Sequence, residues 1–401
     1  MHPAIQGLLT IIIGVSGCVG YFYFSNVFLD KVLFPARNIS LQQSTRVRNV
    51  ALTLMGTILL AFVLLVLKPF PLFVLQSWGG FVGVLSLVLL TAFFGIVINF
   101  AFPKGARNAG DNINRANMVR PWLFLFPALF ALSLYLAYPV FETLRLSLTD
   151  RRLDGAFVGF DNYRQMFSEQ KFWEALTNNF LWLLVVPAMS TIFGLLVAQL
   201  TDRIKWGAFA KSIIFMPMAI SFVGASVIWK LIYDARPEGA DQIGILNAVY
   251  IFFGGDTPHT WLTMPFWNNF FLMAVLIWIQ TGFAMVILSA ALRGVPEETI
   301  EAAIVDGANP FQIFFKIKMP QIMGTVVVVW TTITITVLKV FDIVFAMTNG
   351  QWETQVLANY MYDKLFRASD WGVGSAAAMI IMLLVSPILI WNVRNARKEM
   401  K

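Results

Sequence analysis

Long apolar stretches limit the fold of this sequence more than any other feature. A helix needs about 20 apolar residues to cross a hydrocarbon layer of ~30 Å. The strands of a transmembrane barrel would instead give segments of about ten residues with alternating polarity. The sequence therefore predicts an all-α, polytopic transmembrane helical bundle. The nine apolar stretches lie near residues 5–25, 50–68, 80–102, 121–143, 176–200, 210–232, 268–291, 322–346 and 372–393.

The composition is typical of a membrane protein. Apolar residues make up 58% of the chain and charged residues 13%, about half the charged fraction of a soluble domain. The first stretch lacks a basic n-region and a small-residue cleavage pattern before Tyr21, so it is predicted to be a retained span. One cysteine, Cys18, and two distant histidines, His2 and His259, indicate neither a disulfide nor a metal site. No cofactor is expected.

Basic residues indicate the orientation of the spans. With nine spans and an outside N-terminus, 18 of the 29 Lys and Arg residues fall in cytoplasmic segments. Positive charge accumulates on the cytoplasmic side of such proteins, so the C-terminus is predicted to be inside. The same rule explains the net charge of +7, so no nucleic-acid partner is expected. The basic segment 145–171 is the local exception.

The chain is predicted to have two regions. Residues 1–120 form an N-terminal accessory region with three spans, and the Gly-, Asn- and Arg-rich segment Pro103–Arg120 is predicted to be a linker. Residues 121–401 hold six spans with longer loops. No internal repeat of the kind found in secondary transporters is evident.

The segment 293–322 between two spans is the most informative one. Pro296 suits a first helical position, and the acidic residues after it complement the positive end of a helix dipole. Gly307 permits the left-handed conformation that ends a helix. Pro310 can open a second short helix, and Pro320 is expected to open the next span. The segment is therefore predicted to be two short helices joined at a glycine, parallel to the membrane surface.

The side chains of this segment allow two interpretations. Ala302 and Ala303 would leave a low face that another protein can approach, and Phe311, Phe314 and Phe315 would share an apolar face. Residue physics alone gives equal weight to a protein-docking loop and to an amphipathic hairpin held by lipid.

The motifs of this segment resemble the EAA loop of binding-protein-dependent ABC importer permeases. They are Glu301-Ala302-Ala303, Asp306-Gly307-Ala308 and Ile317-Lys318-Met319-Pro320, with Met319 where the family usually has Leu. The similarity extends over about residues 121–395. It is greatest to the larger membrane subunit of maltose or α-glucoside importers. Supporting residues are Phe160–Tyr163, Met216-Pro217, Gly244–Asn247, Lys339–Asp342, Thr348–Gly350, Gly372 and Ala376–Ala378.

The resemblance implies a six-span permease core in a bacterial or archaeal inner membrane. It implies four kinds of partner: a second homologous permease, a cytoplasmic ATPase dimer, an extracytoplasmic sugar-binding protein and a sugar substrate, within membrane lipid. The ATPase-coupling residues that it implies are Glu301, Ala302, Ala303, Asp306, Gly307, Phe311 and Pro320. The phosphate-binding motif G-x-x-x-x-G-K-[ST] is absent from the sequence, so ATP hydrolysis would need a separate subunit, and no enzyme activity is expected.

Polar residues within spans are candidates for a substrate pathway, because they tend to face a cavity or a partner helix. The eighth stretch carries Thr331, Thr332, Thr334 and Thr336 together with Lys339 and Asp342. Its threonine hydroxyls more often bond to their own helix, and Lys339 and Asp342 could equally be a structural pair. The predicted pathway residues are Gln280, Phe283, Trp330, Lys339 and Asp342. The loop 233–267 fits either a plain surface or a contact with a sugar-binding protein.

Two other functions remain open at this point. An ion-coupled secondary transporter would act alone, but carboxylates within the spans are scarce here. An ABC permease for a non-sugar solute such as a polyamine would favour acidic pore residues, which the Lys339 and Asp342 pair does not supply.

Overall fold

A computed structural model of the chain describes residues 109–150, 156–202 and 204–399, with Tyr23, Asn49 and Phe93 as isolated positions. The predicted spans near 5–25, 50–68 and 80–102 lie outside the described residues. By its internal contacts the chain divides into two units, Met1–Glu142 and Thr143–Lys401.

All regular elements of the described ranges are helical, which confirms the all-α prediction. The π-helical turn Ser133–Ala137 joins the first two helices, and a 3₁₀ turn, Met216–Ala219, follows the fifth. In chain order the helices are α1 (Ala109–Leu132), α2 (Tyr138–Ser147), α3 (Asp161–Ser168), α4 (Gln170–Thr201), α5 (Gly207–Phe215), α6 (Phe222–Ile232), α7 (Ile245–Phe252), α8 (Trp267–Arg293), α9 (Glu297–Val305), α10 (Pro310–Gln321), α11 (Met323–Leu338), α12 (Asp342–Met347), α13 (Leu357–Tyr362) and α14 (Trp371–Glu399).

In the described ranges the first unit contains α1, the π-helical turn Ser133–Ala137 and the start of α2. The predicted linker Pro103–Arg120 is helical from Ala109 onward. Its last glycine, Gly110, lies in the first turn of α1, and the Ala, Arg and Met residues that follow have good helix propensity. A composition rich in Gly and Asn therefore does not break the helix here.

Three helices of the described residues are long and apolar enough to cross a membrane: α4, α8 and Trp371–Trp391 of α14. They match the stretches predicted near 176–200, 268–291 and 372–393. Two bent pairs, α5 with α6 (105°) and α10 with α11 (71°), raise the number to five if each pair is one span. In α1 a shorter apolar segment covers Asn117–Leu132.

The stretch near 210–232, predicted as one span, is divided. Pro217 lies in the 3₁₀ turn, where it offers no N–H to continue a helix. The Oγ of Ser221 then accepts the N–H of Gly224 at 3.1 Å and caps α6 as a new helix. The 105° bend lies between these two features.

The stretch near 322–346 is also not one helix. α11 ends at Leu338, and α12 begins at Asp342 after Phe341, whose φ of −136° is not helical. The residues of α11 are largely Val, Thr and Ile, whose branched side chains lower helix propensity. The break puts Lys339 and Asp342 on either side of a short non-helical segment.

The main core of the second unit surrounds α8. Leu272, Leu276 and Met285 of α8 are at most 1% exposed, and α4 and α11 pack against this helix. Gly194 of α4 lies so close to α8 that an added Cβ would be 2.8 Å from the backbone nitrogen of Met285. Close approach at a small residue is a usual way for membrane helices to pack.

A second, smaller apolar cluster joins α3, the start of α4, α13 and α14, with Phe172 and Tyr360 at its centre. The hydroxyl of Tyr360 donates to the carboxylate of Glu169 at 2.8 Å, and Lys364 pairs with the same carboxylate at 2.6 Å. Burial, with a further contribution from Glu169, raises the pKa of the Tyr360 phenol, so it remains a proton donor at neutral pH.

Candidate functional site

The hairpin, which we define as α9 and α10 (Glu297–Gln321), follows α8 directly. Gly307 ends α9 with a φ of +80°. Its N–H donates to the carbonyl of Ile304 at 3.0 Å, and the N–H of Ala308 donates to the carbonyl of Ala303 at 2.9 Å. These two bonds form a Schellman motif, which satisfies the last carbonyls of a helix. The predicted glycine stop is confirmed.

The second helix of the hairpin has its own cap. The side chain of Asn309 accepts the N–H of Gln312, and the side chain of Gln312 accepts the N–H of Asn309, both at 2.8 Å. This reciprocal pair is a capping box. Pro310 occupies the first helical position, as predicted. The turn between the two helices is thus fixed by residues close to it in sequence.

Two prolines of the hairpin lie differently from the prediction. Pro296 has a ψ of 131° and is the N-cap residue, so α9 begins one position later. Pro320 was expected to open the next span, but it lies within α10. The chain bends by 71° only after Pro320, at Ile322, whose ψ of 3° ends α10.

The outer face of the hairpin is apolar. Phe311 and Phe315, four positions apart on one side of α10, are 76% and 63% exposed. Ile304 and Val305 of α9 are exposed as well. An exposed apolar surface of this kind marks a site of contact with a protein or a membrane. The predicted coupling residues Glu301, Ala302, Asp306, Gly307, Phe311 and Pro320 are all exposed.

The inner face of the hairpin packs against the bundle. Ala303 and Ile313 are each 7% exposed, and Phe314 contacts the main core. Two predictions were therefore wrong: Ala302 and Ala303 do not share a face, and Phe314 does not face outward with Phe311. Ala302 and Ala303 are consecutive in α9 and therefore point about 100° apart. Between Phe311 and Phe314 a π-helical turn, Ile313–Lys318, begins, and its wider spacing changes the register in which the two rings would share a face.

A small cavity lies at the break between α11 and α12. Its volume is about 200 Å³, and Thr336, Lys339 and Asp342 line it together with the apolar Phe222 and Leu276. Lys339 and Asp342 were predicted from the sequence and do come together here. Phe222 and Leu276 were missed, because apolar residues in a span carry no signal of their own. Lys339 and Asp342 form none of the ion pairs found among the described residues.

The other three predicted pathway residues do not line this cavity. Gln280 is 9% exposed within α8, and Phe283 packs against the main core. Trp330 lies on α11 and is 38% exposed. Thr331, Thr332, Thr334 and Thr336 each donate to a carbonyl of their own helix, so these hydroxyls have the structural use that the sequence left open.

A polar cluster joins α4, α5 and α8 near the Arg293 end of α8. Lys211 pairs with Asp202 and donates to the hydroxyl of Ser289 at 2.5 Å. The same hydroxyl donates to Asp202 at 2.9 Å. Ser289 is 1% exposed, so the cluster fixes a buried position of α8 eight residues before the hairpin.

The opposite end of the second unit carries the clamp loop, which we define as residues 348–356. Two asparagine pairs, Asn178-Asn179 and Asn268-Asn269, hold it and the residue directly after it. Asn178 donates to the carbonyls of Glu353 and Gln355 at 2.9 and 2.8 Å, and Asn268 donates to the carbonyl of Trp352 at 2.5 Å. Sequence reasoning missed these asparagines. Their signal is two Asn-Asn pairs at the ends of apolar spans, where an amide needs a partner.

The part of the chain that the structure describes contains no group of three or more metal-binding side chains. Three features lie along α8: the exposed hairpin at its Arg293 end, the small cavity beside its middle and the clamp loop at its Trp267 end. α8 has 27 residues, which at 1.5 Å per residue separates its two ends by about 40 Å.

Residues 190–399 match the sequence model of the family described as binding-protein-dependent transport system inner membrane component. The chain is 61% identical over 323 residues to the alpha-glucoside transport system permease protein AglF of Rhizobium meliloti, covering 79% of this chain and 96% of that protein. It is 49% identical to the osmoprotective compounds uptake permease protein GgtC of Synechocystis, covering 70% of this chain and 99% of that protein.

A solved structure of a bacterial ABC transporter involved in the import of the acidic polysaccharide alginate has a similar fold. The TM-score is 0.60 at 20% sequence identity, and the similarity covers 70% of this chain and 98% of the other. At this identity the likeness concerns the fold alone.

Proposed function

Since the chain belongs to the family of binding-protein-dependent transport system inner membrane components, we propose that it is the permease subunit of an ATP-driven importer for α-glucosides. The observation that carries the proposal is the 61% identity with AglF, over 96% of that protein. As a permease the chain is a transport subunit and not an enzyme. Membership of this family argues against the alternative of an ion-coupled secondary transporter.

The complex that we propose contains four further components. A homologous permease completes the pathway, two copies of an ATPase bind at the cytoplasmic side, and a sugar-binding protein delivers substrate from outside. In this arrangement the hairpin and the C-terminus are cytoplasmic, in the inner membrane. The excess of Lys and Arg in the segments assigned to that side supports the orientation.

The hairpin is proposed to dock on the ATPase. Glu301, Ala302, Asp306 and Gly307 would form the docking surface of α9, and Phe311 would be its apolar anchor. Their exposure, together with the buried inner face, supports this role. Ala303 would act from inside by packing the hairpin onto the bundle, and Pro320 would shape the end of α10.

The connections of the hairpin provide a route for coupling. α9 continues from α8, and α10 leads into α11. Leu276 of α8 and Thr336 of α11 both line the small cavity. A displacement of the hairpin by the ATPase would thus move two walls of the cavity together, and a packed bundle responds to such a shift by changing between discrete states.

The cavity is proposed to be part of the sugar pathway. Lys339 can donate to sugar hydroxyls, Asp342 can accept from them, and Phe222 offers an apolar wall. Gln280, Phe283 and Trp330 stay predictions as pathway residues. We expect Lys339→Met and Asp342→Asn to lower uptake while insertion and ATPase capture are kept. Unchanged uptake in both variants would contradict the pathway assignment.

A second candidate substrate class is the osmoprotective compounds named for GgtC, since that relative is 49% identical over 99% of its length. Uptake by the complete importer in proteoliposomes separates the two. We expect import of a labelled α-glucosidic disaccharide, dependent on ATP and the binding protein. Import of a labelled compatible solute without import of the disaccharide would overturn the α-glucoside proposal.

Capture of the ATPase tests the docking surface. Burying a phenylalanine contributes ~1.5–3 kcal/mol, so Phe311→Ser should weaken capture of the ATPase by about tenfold or more. Phe253→Ser is the matched control, because Phe253 is 82% exposed but lies in the loop before the Trp267 end of α8. If the native chain captures no ATPase from a co-expressed complex, the docking proposal is wrong.

A further inference from the structure

The backbone near the Trp267 end of α8 is strained at two exposed aromatic residues. Phe266 has φ and ψ of 67° and −51°, and Trp352 in the clamp loop has a φ of 54°. A positive φ is a genuine outlier for a bulky residue. Asn349 and Glu353 of the clamp loop also have positive φ. Strained residues concentrate at ligand contacts and switch regions, so this loop is a candidate functional segment.

Buried amides maintain the strain. Asn178, Asn179, Asn268 and Asn269 are at most 8% exposed. Besides the bonds given above, Asn179 accepts the N–H of Leu357 at 2.7 Å, and Asn269 donates to the carbonyl of Glu353 at 3.3 Å. The backbone carbonyls of the loop are thus bound from α4 and α8. Three buried amides thus hold one short loop in one conformation, and the fourth, Asn179, holds the residue that follows it at the start of α13.

The side chains at the tip of this loop, Gln351–Glu353, point away from the buried part. Trp352 is 47% exposed, and Gln351 and Glu353 are exposed, whereas the next residues from Thr354 onward are buried. Among the hydrogen bonds and ion pairs of the described residues, none involves the side chain of Gln351 or Glu353. An indole ring, a carboxylate and an amide are therefore held in place and left available.

A second aromatic surface lies beside this tip. Asn268 bonds to the carbonyl of Trp352, and the residues just before it, Phe266 and Trp267, are 58% and 57% exposed. Their rings contact edge to face, 5.6 Å between centroids. The tip and this ring pair make a surface that combines aromatic faces with oxygen acceptors.

A sugar ring matches this combination. A pyranose has a face of C–H groups that packs on an aromatic ring, and its rim of hydroxyls donates to carboxylate and amide oxygens. The Glu353 carboxylate would repel an acidic saccharide. We propose that Gln351, Trp352 and Glu353, with the Phe266–Trp267 pair beside them, form an outer contact site for neutral oligosaccharides. The inference rests on the proposed function, which supplies the sugar and the outward orientation.

The site is separate from the cavity at the break between α11 and α12. The six residues of α12 lie between the two, about 9 Å along a helix axis. A disaccharide in the cavity need not reach Trp352, whereas a longer oligosaccharide extends toward it. The site would therefore add affinity for the longer substrates and have little effect on the shortest ones.

Chain-length dependence of uptake tests the inference in the complete importer. Trp352→Leu should raise KM for an α-linked tetrasaccharide about tenfold, the equivalent of one lost aromatic contact. KM for the disaccharide should change by less than about twofold. Trp352→Phe should restore tetrasaccharide uptake, and Glu353→Gln should give a smaller loss. Trp391→Leu is the matched control, because Trp391 has the same 47% exposure but lies late in α14.

Each other outcome overturns the site. Equal losses for both sugars would assign Trp352 to contact with the binding protein, and a loss of assembled complex would assign it to the aromatic belt at the membrane surface. Unchanged uptake of both sugars would leave no role in transport. If the unaltered importer takes up neither sugar, the proposed function is wrong and the contact site is wrong with it. If the unaltered importer takes up both sugars and the variants show none of the expected losses, the contact site alone is wrong.

Discussion

The hairpin and the clamp loop are held in opposite ways. The bonds that shape the turn of the hairpin join residues at most five positions apart. Those that hold the clamp loop from α4 and α8 join residues 84 to 181 positions apart. The hairpin can therefore keep its shape while it moves relative to the bundle. The clamp loop keeps its shape only while α4 and α8 stay packed together. The hairpin is therefore suited to transmitting movement, and the clamp loop is suited to forming a fixed surface.

The largest expected effect comes from breaking the clamp loop. Asn178→Ala leaves the buried carbonyl of Gln355 without its donor and removes one of the two amides that donate to the carbonyl of Glu353. A buried group left unsatisfied costs about 1–3 kcal/mol. We expect a clear fall in the thermal unfolding midpoint of the purified protein in detergent. Asn309→Ala removes the cap of α10 and should cost about 1 kcal/mol, confined to the hairpin. Equal falls in the unfolding midpoint of the two variants would contradict the proposed difference between a clamp loop that is tied to the bundle and a hairpin that is held locally.

A smaller effect is expected when the turn of the hairpin is changed. A left-handed residue with a side chain costs about 1–2 kcal/mol, and a β-branched one is the least suited to it. Gly307→Val should therefore lower ATP-dependent uptake severalfold while membrane insertion continues. Gly239→Val is a matched control, since Gly239 has a φ of +81° and, like Gly307, open space around it. Similar losses of uptake in both variants would show that backbone strain alone is responsible.

The smallest effect should arise between the two ends, at the cluster of Asp202, Lys211 and Ser289. Asp202→Asn and Lys211→Met each remove one charge of a partly exposed pair, and their coupling energy should be about 1 kcal/mol. Unfolding of both single variants and the double variant gives this value. Additive losses would mean that the pair contributes nothing beyond the separate side chains.

Local elements could be predicted from the sequence. Gly307 and Pro310 have the conformations that their residue types indicate, because the partners of each lie within a few positions. The spans α4 and α8 were also found, since a hydrophobic segment long enough to cross a membrane is a strong signal. The coupling and pathway roles of the predicted residues remain proposals.

What was missed depends on neighbours far along the chain. Helical register determines that Ala303 packs inward and Ala302 does not. The break after Leu338 was missed because apolarity continues through it, although the branched residues of α11 gave a weak signal. The asparagines that hold the clamp loop were missed because each looks ordinary until its carbonyl partner, more than 80 positions away, is known.

The order along the chain of the residues that these asparagine bonds join has a consequence for biogenesis. Every bond from α4 and α8 to the clamp loop reaches from an earlier part of the chain to a later one, and domains form from the N-terminus during synthesis. Both helices are therefore already made when residues 348–356 leave the ribosome. We therefore expect the strained turn to close against helices that precede it in synthesis, so that the packing of α4 with α8 comes before the clamp loop takes its conformation.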